Sequence, residues 1–358
     1  MVEPSPVSAE IFDDPLRYFS AMLGDIEKAK KYIYLEIYKF SDESVGTKFR
    51  DLLTKKAKQG VEVRLLIDSW GALFSSSFFA EFTKNGGQLL FFKKLKWTFD
   101  AFTKHHRRNH RKILVIDDHI SYIGSANITD YSMNWRELAI RLEGNIARIF
   151  RRAFLGSWFI HDKVVFNIKK HTRTLAYGDF KLIRDIPSIR KQRIKKKFEE
   201  LIKNAKREII IETPYFLPGF LLRKHLMDAG KRGVDVKILT PDKSDVAMVD
   251  VLRSKYLGML YHNSVKVIFY KPYNLHAKML LVDGEVFCVG SANFDYRSFR
   301  YMHEIMLIGR DSQIIAALQQ HAKETIAECV EFNYEKWLRR PVIHKLFEQI
   351  LVPFRHLL

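Results

Sequence analysis

The 358-residue chain holds only two cysteines, Cys288 and Cys329. Two cannot build a disulfide framework, and no Cys spacing of a metal site occurs. A reducing, cytoplasmic compartment suits such a chain. Long apolar runs are also missing. None reaches the roughly 18 uncharged residues of a membrane-crossing helix, so any membrane association is expected to be peripheral. The opening residues, MVEPSPVSAEIFDD, lack the basic and apolar regions of a secretion signal. Low-complexity tracts are absent, and apolar residues make up 47% of the chain, which excludes a disordered protein. Acid is scarce relative to base: 41 Asp and Glu against 60 Lys and Arg, a formal net charge of +19. Solubility alone would account for some of this charge, but the basic residues cluster. Such a surface attracts anions, whether nucleic acid, an anionic membrane or a phosphorylated substrate.

What the chain does have is an internal repeat. KQGVEVRLLI at 58–67 matches KRGVDVKILT at 231–240, each a Gly-ended helix feeding a strand. IYLEIYKF at 33–40 matches IIIETPYF at 209–216, with Glu36 and Glu212 in equivalent places. NHRKILVID at 109–117 matches LHAKMLLVD at 275–283, and GSANITDYS at 124–132 matches GSANFDYRS at 290–298. Strands alternating with helices predict an α/β fold, a sheet flanked by helices, made twice. The expected units are 1–162, 163–333 and an unmatched basic amphipathic extension at 334–358. Closing helices are predicted at 145–161 and 312–330, a connector within 162–188, and a basic helix at 189–206 mirroring 15–31.

Two H-x-K-x4-D motifs carry the chemistry: His110, Lys112 and Asp117, then His276, Lys278 and Asp283. Each is followed by G-S-A-N, with Ser125 and Asn127 in one half and Ser291 and Asn293 in the other. The His-to-Ser spacing is fifteen residues both times. On a strand, residues i and i+2 share a face, so each His and Lys point together. Lys, Asn and Ser are donors that can hold the charged oxygens of a phosphodiester. One neutral imidazole can attack phosphorus, and a protonated one can donate to the leaving alkoxide. Each imidazole needs an orienting partner, for which Glu137 and Glu304 are the candidates. With lysines in place of cations and no carboxylate cluster, no metal and no cofactor are expected.

These residues make the chain resemble the phospholipase D superfamily, whose signature is H-x-K-x4-D followed by G-S-x-N. The resemblance covers about residues 15–330, and TPYFLP at 213–218 is similar to the bacterial cardiolipin synthases. It implies two α/β domains related by a pseudo-twofold, with the active site at their interface. It implies catalytic roles for His110, Lys112, His276, Lys278, Glu137 and Glu304. Phosphate contacts would come from Lys112, Ser125, Asn127, Lys278, Ser291 and Asn293, with Asp117 and Asp283 structural. By resemblance the N-terminal histidine, His110, is the nucleophile; the residues themselves do not decide this.

Substrate is read from other segments. Residues 73–82, 89–112, 153–170 and 337–358 mix aromatic or apolar residues, in most cases with Lys and Arg. Together they suit the headgroup region of an anionic bilayer. The alternative for them is buried core or a single-stranded nucleic acid groove. The expectation is a cytoplasmic phosphatidyltransferase, peripheral to the inner face of the cell membrane, that joins two phosphatidylglycerol molecules into cardiolipin and glycerol. A hydrolase releasing phosphatidic acid and a metal-independent endonuclease are the alternatives. No obligate protein partner is expected.

Overall fold

The computed structural model describes residues 5–92, 107–163 and 171–353. The repeat becomes two mixed sheets with the same strand order among these residues. The first runs Ser8–Phe12, Ala139–Glu143, Ile120–Gly124, Ile113–Ile116, Tyr32–Ile37, Glu62–Asp68, Gln88–Phe92. The second runs Phe180–Asp185, Met302–Gly309, Val286–Gly290, Met279–Val282, Glu208–Glu212, Asp235–Pro241, Val265–Tyr270. Registers agree as well. Glu36 stands opposite Ile113 in one sheet and Glu212 opposite Met279 in the other. Both central strands are parallel to their helix-connected neighbour and buried, which is why they read as apolar runs.

Helices form where the sequence gives both a cap and an apolar face. Asp14 accepts from the amides of Leu16 and Arg17 to start Pro15–Lys28, whose Pro15 needs no donor at that position. Asp311 does the same for Ser312–Ala327. Each sheet lays one face on its own helices, giving two separate apolar cores. The opposite faces meet through a third apolar cluster shared by both halves. Val115, Ile123 and Ile140 contribute from one side, and Met279, Val289 and Leu307 from the other. The closing helices Ala147–Ile160 and Ser312–Ala327 fill this layer.

Three details depart from expectation. The predicted connector within 162–188 contains a hairpin, Leu175–Tyr177 with Phe180–Asp185. Its first strand is the edge of the second sheet, and its second, paired with Met302–Gly309, is the counterpart of Ser8–Phe12, which was not foreseen either. The closing helix ends at Ala327 rather than 330, because Cys329–Glu331 pairs with Val265–Tyr270 as an added edge strand. Finally, the phenylalanines of residues 73–82 turn inward, although most of the segment is exposed. Phe79 and Phe82 are buried and pack with Phe40, while Phe74 and Phe78 lie half-buried beside them. Residues 153–163 likewise bury Phe154 and Trp158 and expose Phe159. Residues 93–106, 164–170 and 354–358, parts of the other basic and aromatic segments, lie outside the described residues.

Candidate active site

Each H-x-K segment is an extended lead-in to a strand that starts one residue after the lysine, at Ile113 and at Met279. The far end of the strand is fixed by the motif aspartate. Asp117 and Asp283 turn the hairpin in the left-handed region, φ 55° and 57°, which Asp tolerates better than most residues. Their carboxylates accept three consecutive amides at the start of the central strand. For Asp117 these are Lys30, Lys31 and Tyr32 at 2.7, 2.8 and 2.8 Å. For Asp283 they are Lys206, Arg207 and Glu208 at 3.0, 2.7 and 3.0 Å. Both aspartates therefore stand at the other end of the strand from their histidines and lock it to the central strand.

The near end of each strand is held by the opposite half. The His110 amide donates to the His303 carbonyl at 3.0 Å, and Arg108–Asn109 pairs with the start of Met302–Gly309. The His276 amide donates to the Arg136 carbonyl at 2.8 Å. This exchange crosses the glutamates over. His110 Nδ1 lies 3.1 and 3.3 Å from the two oxygens of Glu304, and His276 Nδ1 lies 2.8 and 2.9 Å from those of Glu137. Each histidine is thus oriented by the glutamate of the other repeat.

Both serines serve the glutamates. Ser125 Oγ donates to Glu137 and Ser291 Oγ donates to Glu304, and each hydroxyl also accepts a neighbouring amide, Leu138 at 2.9 Å and Ile305 at 3.0 Å. The glycine before each serine permits this approach. A Cβ at Gly124 would meet the Leu138 carbonyl oxygen at 2.7 Å, and one at Gly290 would meet that of Ile305 at 2.2 Å. Asn127 Oδ1 accepts the Lys39 amide at 3.2 Å, and the Asn293 amide hydrogen-bonds Ser298 Oγ at 3.1 Å. Asn293 Oδ1 is buried with no protein partner. The lysine amines donate back to the carbonyl of their own motif histidine, Lys112 to His110 at 2.8 Å and Lys278 to His276. Aromatic rings wall the imidazoles, Tyr38 against His110 at 5.0 Å and Trp135 against His276 at 5.1 Å between centroids.

All six charged groups are buried, and burial together with their charged neighbours shifts their protonation. His110 is pushed well below an ordinary histidine by burial, then by the charges of Lys112, Lys278 and His276. Lys112 is pushed down by burial and by Lys278, and burial takes Lys278 to about 8. Two repelling ammonium groups buried side by side are the electrostatic mould of an anion. The glutamates part ways. Burial raises Glu304 to about 8 against the opposing bonds from Ser291 and Ser298. Burial also works against Glu137, but the charge and hydrogen bond of His276, with Lys278, hold it below the usual range.

Sequence reading missed a second layer of buried charge. Glu36 accepts from Asn109 at 2.8 Å and lies 3.9 Å from Arg111. Arg111 itself joins the halves, donating to the Glu304 and Asp185 carbonyls and to Ser157 Oγ. Behind His276, Glu212 holds His321 at 2.8 Å, which also lies 3.5 Å from Asp13, itself paired with Arg136 at 3.0 Å. The signal was present: a glutamate within each apolar central strand requires a partner.

Two imidazoles, two lysines and two crossed glutamates at the seam of a duplicated α/β fold define a phospholipase D-type site. A family model described as "Cardiolipin synthase, PLD-like domain" matches residues 22–158 and 198–326. The major cardiolipin synthase ClsA of Bacillus subtilis is 33% identical, over 96% of this chain and 74% of its own. A cardiolipin synthase of Clostridium perfringens is 30% identical over 96% and 75%. The chain belongs to the cardiolipin synthase family of phospholipase D-like phosphatidyltransferases. The fold is also that of a phosphatidylserine synthase of Haemophilus influenzae, at TM-score 0.76 and 13% identity over 98% of this chain and 95% of that one. A polyphosphate kinase of Porphyromonas gingivalis shares it at 0.64 and 12%, over 98% and 53%.

Proposed function

We propose that the protein is a cardiolipin synthase acting through a phosphohistidine on His110. The observation that carries the assignment of roles is the different wiring of the two histidines. His110 Nδ1 lies 3.0 Å from the Ser291 carbonyl, which can only accept, so the ring proton sits on Nδ1 and Nε2 keeps its lone pair. Burial and three neighbouring cations keep this ring neutral. Burial lowers His276 too, but the charge and hydrogen bonds of an ionised Glu137 oppose it, so His276 is the better of the two rings at taking a second proton.

The steps balance. His110 Nε2 attacks the phosphorus of one phosphatidylglycerol, the bond to its headgroup glycerol breaks, and His276 gives that oxygen a proton. Glycerol leaves. A glycerol hydroxyl of a second phosphatidylglycerol then gives its proton to His276 and attacks phosphorus. The P–N bond breaks, cardiolipin departs and His110 is neutral again. Lys112 and Lys278 hold the phosphate oxygens in both halves of the reaction, as do the side-chain amides of Asn127 and Asn293. Ser125 and Ser291 act one step back, through the glutamates. The protein works from the bilayer surface, at the cytoplasmic face where phosphatidylglycerol is available.

Purified protein with phosphatidylglycerol vesicles and a chelator should form cardiolipin and glycerol in equal amounts. Phosphatidic acid alone would make it a hydrolase. Inert lipid with cleaved DNA or RNA would overturn the lipid reading. With lipid labelled at phosphorus, a trapped phosphoenzyme should persist in His276→Ala and vanish in His110→Ala; the reverse exchanges their roles.

A further inference from the structure

The C-terminal helix Val342–Leu351 is turned inside out. A surface helix on a water-soluble protein puts its apolar stripe on the core and its polar face outward. Here it is Glu348, the one acid of the helix, that faces the protein. Glu348 is 2% exposed and bonded twice by Arg340, at 2.8 and 2.9 Å. Gln349 accepts from Lys255 at 2.8 Å, and Lys345 donates to the Leu338 carbonyl. The apolar stripe faces solvent: Val342 is 80% exposed, and Ile343, Leu346, Phe347 and Ile350 are each more than half exposed. These positions fall at i, i+1, i+4, i+5 and i+8, one continuous face.

The helix ends beside the site. Leu351 and Val352 pack against the buried cluster of Leu217, Val249 and Leu252, and Tyr215 and Val246 pack against the same cluster. Tyr215 donates to Asp245 at 2.7 Å, as does Asn274 at 3.3 Å, and Asn274 is two residues ahead of His276. Asp245 is near enough for its charge to act on both His276 and Lys278. A continuous run of contacts therefore leads from the stripe to the rim of the cleft.

We propose that this helix is a bilayer-docking element, inserting its outward stripe into an anionic lipid surface and seating the rim of the active site there. Charge favours that occupant. The one acid within the helix is Glu348, which is buried and paired, while His344 on the helix and Arg339 just ahead of it are exposed and the whole chain carries +19. Size disfavours a second copy of the chain. A ten-residue helix is about 15 Å long, too small a face for the roughly 800 Å² per partner of a stable dimer.

The proposal rests on the lipid reading above, and the test separates the two. Full-length protein is sedimented with sucrose-loaded vesicles of phosphatidylglycerol, and in parallel of phosphatidylcholine. Binding to the anionic vesicles should fall about tenfold or more in Leu346→Ser/Phe347→Ser/Ile350→Ser, three lost apolar anchors. Turnover of short-chain phosphatidylglycerol dispersed as monomers should be retained by that variant. In case the triple variant folds poorly, Phe347→Trp supplies a second reading: its fluorescence should shift to the blue on phosphatidylglycerol vesicles and stay unshifted on phosphatidylcholine. Unchanged vesicle binding in the triple variant, or a wild-type dimer that the variant abolishes, would overturn the docking role. A wild type that binds vesicles but turns over neither dispersed nor bilayer lipid sinks the functional reading and leaves the docking intact.

Discussion

His276 lies 2.8 and 2.9 Å from the two oxygens of Glu137, whereas His110 lies 3.1 and 3.3 Å from Glu304 and shares its Nδ1 with the Ser291 carbonyl. The backbones around the two rings are near copies, down to the serine on each glutamate and the lysine on each histidine carbonyl. What differs is how much each carboxylate is compensated. Glu304 is raised to about 8, so at neutral pH it is largely a neutral acid; Glu137 is held below the carboxylate range and stays charged. A duplicated fold thus supplies two equivalent, equally buried positions, and differences in neighbouring charge assign the two carboxyls opposite protonation. Acid–base chemistry needs that separation.

Removing either ring has the largest expected effect. His110→Ala and His276→Ala should each lower kcat for lipid turnover about a thousandfold or more, since one supplies the covalent step and the other its proton. Stopped assays on labelled phosphatidylglycerol read this directly. A single variant that retained near-normal turnover would end the two-histidine reading.

The glutamates sharpen the comparison. Glu137→Gln removes a charge that holds the His276 proton in place against burial. The folded pKa of His276 then falls, the protonated fraction at neutral pH falls with it, and the alkaline limb of kcat/KM moves to lower pH. Loss at pH 7 should be about a hundredfold. Glu304→Gln replaces a group already near neutral by a neutral amide, so its loss should be nearer tenfold and its pH profile little moved. Equal losses and equal shifts would show that the two halves are electrically alike.

Much of this was written in the sequence because the repeat doubles every signal. The strand of Ile113–Ile116 and its partner Met279–Val282 were legible from their apolar runs, and the motif residues from their fixed spacing. The crossing of Glu137 and Glu304 was not, because spacing along one half says nothing about which half a side chain meets. Ser125 and Ser291 looked like phosphate ligands for the same reason: a hydroxyl donates equally well to a phosphate or a carboxylate, and only the fold says which is near. The aromatic segment 73–82 could be read as a bilayer-facing surface because it is apolar with no evident helix or strand role, yet Phe79 and Phe82 are core. The terminal helix was recognised as amphipathic, but which of its faces turned outward depended on what Glu348 paired with.

The second layer offers a difference in pH response. Behind His110 the buried charges are Glu36 and Arg111; behind His276 they include a histidine, His321, bound by Glu212 and near Asp13. Burial opposes the charged form of His321, but the two carboxylates outweigh it and raise it to about 9. A folded value above the unfolded one near 6.5 gives stability that is full below about 6.5 and lost as pH rises through 9. Denaturant titrations at pH 6 and pH 9.5 should differ by up to about 3 kcal/mol from this group. In His321→Gln that part of the difference should disappear. A variant with the same alkaline loss as wild type would place the window elsewhere.

The smallest effects test whether the two frames are equal where the two sites are not. Asp117 and Asp283 each collect three backbone amides and each sit in the left-handed region. Replacement by Gly keeps the turn geometry but loses the bonds, and should cost about 1–2 kcal/mol. Replacement by Ala loses the bonds and adds the penalty of a Cβ at positive φ, about 1 kcal/mol more. The Ala-minus-Gly difference therefore reads the turn, and the Gly value reads the amides. Because these aspartates stand at the far end of the strand from the histidines, kcat should move little while the denaturation midpoint falls. Agreement of the two halves to within about 0.5 kcal/mol, the usual scatter for equivalent and independent sites, would mean that duplication preserved the scaffold and let only the wiring of the site diverge. A gap well beyond that would mean the divergence reaches the strand ends as well, and that the asymmetry of His110 and His276 begins in the frame that holds them.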